Sequence, residues 1–343
     1  MVDLRGGDLE PDEREILTHP AVGGVILFSR NYHDPDQLSR LVAAIHAVRD
    51  PHLLVGVDHE GGRVQRFRTG FTRLPPMGAL GKLWDADPKA AHRLAHDTGL
   101  ILALELRAHG IDFTFAPVLD LDHSRSQVIG DRAFHRDPYA VAELATSLVA
   151  GLGEGGMGSV GKHFPGHGYA EADSHVDTPV DGRVFEQIAA DDLIPFQHLV
   201  SNGLTAVMPA HVVYPAVDSL PAGYSQRWLG GVLRERLGFR GAIFSDDLSM
   251  LGAQLAGTIV ERGRAALAAG CDMVLVCNDS SAARRLVEGL DARCTAPALL
   301  NLARLRGRTA PADGTALSAI PRYAVALETL ARWRDHGRDS SLA

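Results

Sequence analysis

Residues 161–177 read GKHFPGHGYAEADSHVD and bring together three histidines, Lys162, Glu171, Asp173 and Asp177. Pro165, Gly166 and Gly168 cannot sit inside a regular helix, so the segment is a polar loop. The run at 158–161 just before it reads as a short strand, which places Lys162 and His163 at that strand's C-terminal end. Asp173 and His175 stand two residues apart. That spacing lets the carboxylate bond one imidazole nitrogen and leaves the other to give or take a proton. With an unperturbed pKa of about 6.5, an imidazole held this way suits general acid/base work. The competing reading is a solvated loop with a surface ion pair.

Outward from this loop the same arrangement recurs. Apolar runs at 2–4, 24–28, 53–57, 111–116, 205–208, 241–244 and 273–277 read as buried strands, and 158–161 makes the eighth. Helical patterns separate most of them, at 38–48, 88–109, 138–151, 185–201, 228–237 and 258–269. From residue 280 onward the chain is rich in Ala, Leu and Arg and reads as helix with one loop near 307–314. Near-continuous apolar strands alternating with helices imply a parallel sheet covered on both faces. Eight such units predict a (β/α)8 TIM-type barrel, one α/β domain over 1–343 with a helical C-terminal tail at about 280–343. A doubly wound sheet is the alternative, because 2–4 is a poor strand. The polar residues favour the barrel. Asp58, Asp120 with Asp122, Lys162 with His163, His211, and Asp246 with Asp247 all fall at or just past strand ends, and a barrel gathers those ends at one mouth.

Composition narrows the function. With 45% hydrophobic and 22% charged residues and a net charge of -8, the chain has neither a nucleic-acid footprint nor a polybasic membrane patch. Cys271 and Cys277 lie in an apolar strand-like run, and with Cys294 the count is odd, so no disulfide framework is implied. The acidic N-terminal stretch has no apolar signal region and no run reaches a membrane span, so the expectation is a cytoplasmic protein.

Three further motifs carry chemistry. In DHEGGR, at 58–63, two glycines permit close backbone approach, with Arg63 and Arg66 downstream to bond a polar ligand; a structural ion-pair cluster is the rival reading. In GDRAF, at 130–134, Arg132 could donate a fork of hydrogen bonds into the mouth. In IFSDDL, at 243–248, two carboxylates end an apolar strand and face opposite sides of extended backbone. One could attack an anomeric carbon or bind a metal, while a helix N-cap suits Asp247 better than Asp246.

Taken together, the segments GGVILFSRNYHDP, VDHEGGRVQRF, FAPVLDLD, GDRAFHRDP, GKHFPGHG with ADSHVDTP, MPAHVVY, GFRGAIFSDDLSM and AAGCDMVLVCN resemble glycoside hydrolase family 3, in particular its single-domain bacterial β-N-acetylhexosaminidase branch. They spread from Gly23 to Asn278. The resemblance implies Asp246 as nucleophile, His175 as acid/base with Asp173 as its partner, and Asp58, Arg66, Arg132, Lys162 and His163 as sugar-binding positions. His59, where many relatives carry glutamine, and Tyr169-Ala170-Glu171, where the loop is otherwise smaller, depart from the pattern and could alter preference around the site.

The reaction this implies is retaining removal of a terminal non-reducing β-N-acetylglucosamine, with no cofactor and no metal. By resemblance the substrates are cytoplasmic peptidoglycan fragments, N-acetylglucosamine linked to anhydro-N-acetylmuramic acid with or without peptide, met during cell-wall recycling. No nucleic-acid or membrane partner is expected, and a monomer is favoured. The rivals are a phosphorylase on the same site, a metal-dependent barrel hydrolase and a non-catalytic sugar-binding protein. Against the metal reading, no strand ends in an HxH pair, and His163 and His167 flank Pro165-Gly166 rather than share a helical face.

Overall fold

A computed structural model describes residues 1–171, 179–291, 294–308 and 317–339. In it β1 (Val2–Asp3), β2 (Gly24–Leu27), β3 (Leu54–Val57) and β4 (Phe113–Thr114) pair in that order, and β5 (Val160–Phe164), β6 (Ala206–Pro209), β7 (Ala242–Asp247) and β8 (Met273–Leu275) pair in a second run. All of these pairings are parallel. Bridges Phe113 to Gly158 and Val2 to Val276 join the two runs at both seams, so the strands close into a barrel. The short first strand therefore belongs to the ring. It is fixed by the Met1 ammonium, which donates to the Val274 carbonyl at 2.7 Å, and by the Val276 N–H, which donates to Met1.

The helical layer departs from the expected pattern at four places. α1 (Pro11–Thr18) was hidden because PDEREILT is almost wholly polar. Its anchor is Glu13, which accepts from the Arg5 and Glu10 N–H groups. α2 (Pro35–His46) follows β2 as the pattern requires. Before the expected helix α4 (Pro88–Ala108) stands α3 (Met77–Ala86), and the Asp87 side chain at the break caps α4 through the Ala90 N–H at 3.0 Å. After α5 (Pro138–Glu154), the single helix expected at 185–201 is divided at Asp191 and Asp192 into α6 (Phe185–Ala190) and α7 (Leu193–Ser201). The segment Arg227–Arg236 is wound with i→i+5 bonding, and α8 (Ile259–Ala269) is capped by Thr258. The tail breaks twice rather than once: α9 (Ser280–Gly289) stops well before α10 (Ala296–Ala303), whose Pro297 cannot continue a helix from the preceding turn, and α11 (Pro321–Asp339) follows.

Close packing shows where the sequence needed its small residues. α4 and α5 cross at Gly99 and Gly151, where a Cβ would stand 2.2 Å from the Leu148 carbonyl and 1.9 Å from the His96 carbonyl. Inside the barrel Phe113, Phe115 and Phe244 pack with ring centroids 5.1–5.4 Å apart, and Gly56 of β3 leaves the room that the Phe113 ring fills. α11 docks on α4 through the Tyr323 hydroxyl, which donates to buried Glu105 at 2.6 Å. Among the described residues no helix is long and apolar enough to cross a membrane.

Candidate active site

Strand ends β3, β5, β6, β7 and β8 open on one cavity of about 860 Å³. Asp58, Arg66, Arg132, Lys162, His163 and Asp246 all line it, so the structure gathers every described residue that the family resemblance implied, while Asp120, Asp122 and His211 stand outside its lining. Asp173 and His175 lie outside the described residues; Glu171, at the edge of the described loop, is on the cavity wall.

Lys162 organises one side. It sits within β5 rather than beyond it, because the strand runs on to Phe164. Its ammonium lies 2.8 Å from Asp58 and 2.7 Å from Glu60. Asp58 and Glu60 are two apart on extended backbone and so face the same way, a signal that the sequence held and the nomination of Asp58 alone passed over. Glu60 in turn receives a two-pronged pair from Arg132, both contacts at 2.8 Å. Arg132 thus spends donors on Glu60, and its expected role as a free fork into the mouth becomes that of a supporting charge. Arg66 stands 3.7 Å from the other side of Asp58. Burial alone would raise the Glu60 pKa, but Arg132 and Lys162 outweigh it and hold Glu60 far below the usual carboxylate range. Lys162, which burial would push down, is held above its ordinary value by Asp58 and Glu60. A chain of alternating charges, Arg66–Asp58–Lys162–Glu60–Arg132, therefore runs along this side of the cavity.

Between the two carboxylates His59 turns the other way. Its ring is buried 5.7 Å from Phe67 and 5.9 Å from Phe71, and burial, with the charge of Arg66, lowers its pKa to about 3. It does not line the cavity, so its departure from the family pattern acts on the packing beneath the site. Tyr169, by contrast, lies at the rim between two guanidiniums, those of Arg125 and Arg183, at 4.3 and 4.1 Å.

Asp120 anchors the next side. It accepts from His163 Nδ1 at 2.7 Å and from the His167 N–H at 2.7 Å. A carboxylate partner fixes the proton on Nδ1 of His163 and leaves Nε2 for a ligand. Asp122, also at that strand end, folds back on the Ser124 N–H instead of entering the mouth. The His167 ring is buried with neither nitrogen hydrogen-bonded among the described residues, and desolvation lowers its pKa, so it is neutral.

The tandem aspartates both line the cavity and differ in their hydrogen bonding. Asp247 is tied by the Ser249 N–H and hydroxyl and by the Cys277 N–H at 2.7–3.0 Å. Asp246 accepts the Asp247 N–H at 2.7 Å and otherwise faces the cavity. Burial would raise the Asp246 pKa; His211, His163 and Lys162 and that N–H outweigh it and keep the carboxyl below its ordinary value. His211 is itself held by its Nε2–H, which donates to the Asp247 carbonyl at 3.0 Å.

Burial first, then the charge of Asp246, pushes the Asp247 pKa up to about 6. Between about pH 4 and 6 the folded chain therefore keeps a proton that the unfolded chain has released, and this group's contribution to stability is lost as pH rises through that window. In Asp247→Asn the stability difference from wild type should change between pH 4 and 6 and be constant above. Denaturant titrations at stepped pH check this; a difference that is the same at pH 4 and pH 7 contradicts it.

Residues 1–302 match the model of the glycosyl hydrolase family 3 N terminal domain. The chain belongs to glycosyl hydrolase family 3. It is 57% identical over 331 residues to the Beta-hexosaminidase of Nitrosospira multiformis, covering 96% of this chain and 95% of that enzyme. The Beta-hexosaminidase of Thiobacillus denitrificans is 57% identical over 342 residues, 99% and 94% of the two chains. Among solved structures, native NagZ from Neisseria gonorrhoeae superposes with a TM-score of 0.92 at 47% identity over 97% and 96% of the two chains. The same NagZ with bound N-trifluoroacetyl-D-glucosamine gives 0.91 at 47% identity over 96% of each. As a family 3 member the chain is a glycoside hydrolase on a single (β/α)8 barrel, and a small-molecule carbohydrate is its substrate.

Among the described residues of this family 3 barrel two other groups of histidine and carboxylate stand outside the cavity: His46, His52 and Asp112 at the N-terminal ends of β3 and β4, and His123, Asp191 and Asp192 at the rim. His92 and His96, at helical spacing, serve the contact of α4 with α5, where His92 meets the Ser147 hydroxyl at 2.7 Å.

Proposed function

We propose that the chain is a retaining, exo-acting β-N-acetylglucosaminidase in which Asp246 is the nucleophile and His175, paired with Asp173, is the acid/base. The observation that carries this reading is the contrast at the end of β7: one aspartate is consumed by three donors, and its neighbour presents an ionised carboxylate to the cavity. Asp246 attacks C1 and forms a covalent glycosyl-enzyme as the glycosidic bond breaks; His175 protonates the departing oxygen, then takes a proton from the water that opens the intermediate. A histidine in this place adds no second negative charge beside Asp246, so both groups reach working protonation states near neutral pH. Asp58, Arg66, Lys162 and His163 hold the hydroxyls of the sugar, with Arg132 supporting them through Glu60. Fixed in this way, the reacting centres meet as if in one molecule.

The names of the relatives and the hexosamine analogue held by the Neisseria NagZ support a hexosaminide as substrate. The finer assignment is to cytoplasmic peptidoglycan fragments, N-acetylglucosamine joined to anhydro-N-acetylmuramic acid with or without its peptide. The cavity volume, about 860 Å³, lies toward the upper part of the range for small-molecule sites, roughly 300–1,000 Å³, which suits a sugar with a bulky aglycone.

Turnover of an aryl β-N-acetylglucosaminide followed by proton NMR tests the reaction class. The expected first product is the β-anomer of N-acetylglucosamine, at a rate indifferent to strong chelator and to phosphate. Release of a sugar 1-phosphate would assign a phosphorylase instead, and early α-anomer would rule out the covalent route.

A further inference from the structure

We propose that His123, Asp191 and Asp192 form a divalent-cation site on the rim of the barrel, separate from the catalytic cavity and not taking part in the chemistry. One ligand atom from each lies within 4.8 Å of the other two. His123 Nε2 already stands 3.2 Å from Asp192 Oδ1, close to the ligand-to-ligand separation of about 3.4 Å that tetrahedral bonds of 2.0–2.1 Å to imidazole and carboxylate produce. Asp191, half-buried at the junction of α6 and α7, needs only a side-chain swing to complete the set.

Charge selects this cluster over the other one. At the rim, Asp181, Asp191, Asp192 and Glu171 are set against the guanidiniums of Arg183, which bonds Asp181 and Asp192 at 2.7 Å, and Arg125, which pairs with Glu171. Among the described residues four carboxylates thus face two guanidiniums, an excess of two negative charges that one divalent ion would complement. At the opposite end of the barrel, Asp112 alone faces His46 and His52, with Arg107 3.7 Å from its carboxylate and Arg306 bonded to the His52 carbonyl. A cation entering there would meet an excess of positive charge.

The mixed imidazole and carboxylate set suits Zn²⁺ or Co²⁺ better than Ca²⁺ or Mg²⁺, which take oxygen ligands. Bound there, the ion joins the loop after β4 to the α6–α7 junction. It also reaches the β5 loop, because Asp192 packs against Gly166 and the His123 ring meets Tyr169 edge-on at 5.4 Å. An ion that binds the folded chain alone raises its melting temperature.

Calorimetric titration of the whole chain with Zn²⁺, and with Co²⁺ followed by its visible absorption, tests the site. One ion per chain is expected, with a rise in Tm. Asp191→Asn and His123→Ala should each weaken binding at least tenfold and remove the Tm rise, and His123→Ala should change the Co²⁺ spectrum; both should keep the metal-free Tm and circular dichroism of wild type. His46→Ala should bind as wild type does. No Zn²⁺ uptake by wild type at about 100 µM overturns the proposal. Unchanged binding in both rim variants, or loss of binding in His46→Ala, overturns it equally by placing the ion elsewhere. Because the readout is binding and not turnover, the result is independent of the proposed glycosidase mechanism.

Discussion

Asp246→Ala is expected to lower turnover of an aryl β-N-acetylglucosaminide by about 10⁴-fold or more, with little change in Tm. A well-placed intramolecular nucleophile carries an effective molarity on the order of 10⁵–10⁸ M, and alanine forfeits all of it. The fold should tolerate the change because the Asp246 carboxylate accepts only the neighbouring Asp247 N–H among the described residues and supports no other element. The contrasting variant is Asp247→Ala. It strands the Ser249 and Cys277 donors, so its first effect should be on stability, with activity falling as a consequence of lost positioning. Azide offers a sharper readout in Asp246→Ala. Entering the space the carboxylate leaves, it attacks C1 from the same face while the aryloxide departs, giving the α-glycosyl azide. Mass spectrometry of wild type with a slow substrate should find the sugar on the peptide that contains Asp246. Sugar found on Asp247, or Asp246→Ala active within tenfold of wild type, would end the assignment.

Most of the barrel could be read in the sequence because a parallel strand covered on both faces is an unbroken apolar run, and Val55, Val207 and Ile243 all sit fully buried where such runs fall. The mouth could be read for the same reason: a charge that interrupts such a run marks its end. Less visible was anything whose partner lies far along the chain. The spacing of Glu60 from Asp58 places it on the same face, but what it does there depends on Lys162 and Arg132, residues 102 and 72 positions away. His59 looked like a site residue from its neighbours, and only the aromatic cluster of Phe67 and Phe71 shows that it points beneath the site. Helix α1 lacked a periodic apolar face, and the division of α6 from α7, which brings Asp191 and Asp192 to the rim, had Pro195 as its sequence signal: in the first turn of α7 it cannot hydrogen-bond back to Asp191.

His175→Ala should have an effect that depends on the leaving group. Protonation of the departing oxygen is typically worth about 10²–10⁴ in rate. Substrates with poor leaving groups, alkyl glycosides and disaccharides, should therefore slow by that range. An activated aryl group departs as its anion with no proton, so formation of the glycosyl-enzyme should be nearly normal. Its hydrolysis should not be, because the water that opens the intermediate has lost its base. The variant is thus expected to release a burst of one phenolate per chain and then turn over slowly, whereas wild type shows no such accumulation. The pH profile provides a second check. In wild type kcat/KM on a poor leaving group falls at high pH as the imidazole loses its proton, and that limb should vanish in the variant. Asp173→Asn, which keeps the imidazole and removes the charge that orients it, should weaken catalysis less and keep a limb at altered pH. A loss in His175→Ala that is equal for every leaving group, with no burst, would mean that His175 positions the sugar or the loop, and another group would then have to supply the proton.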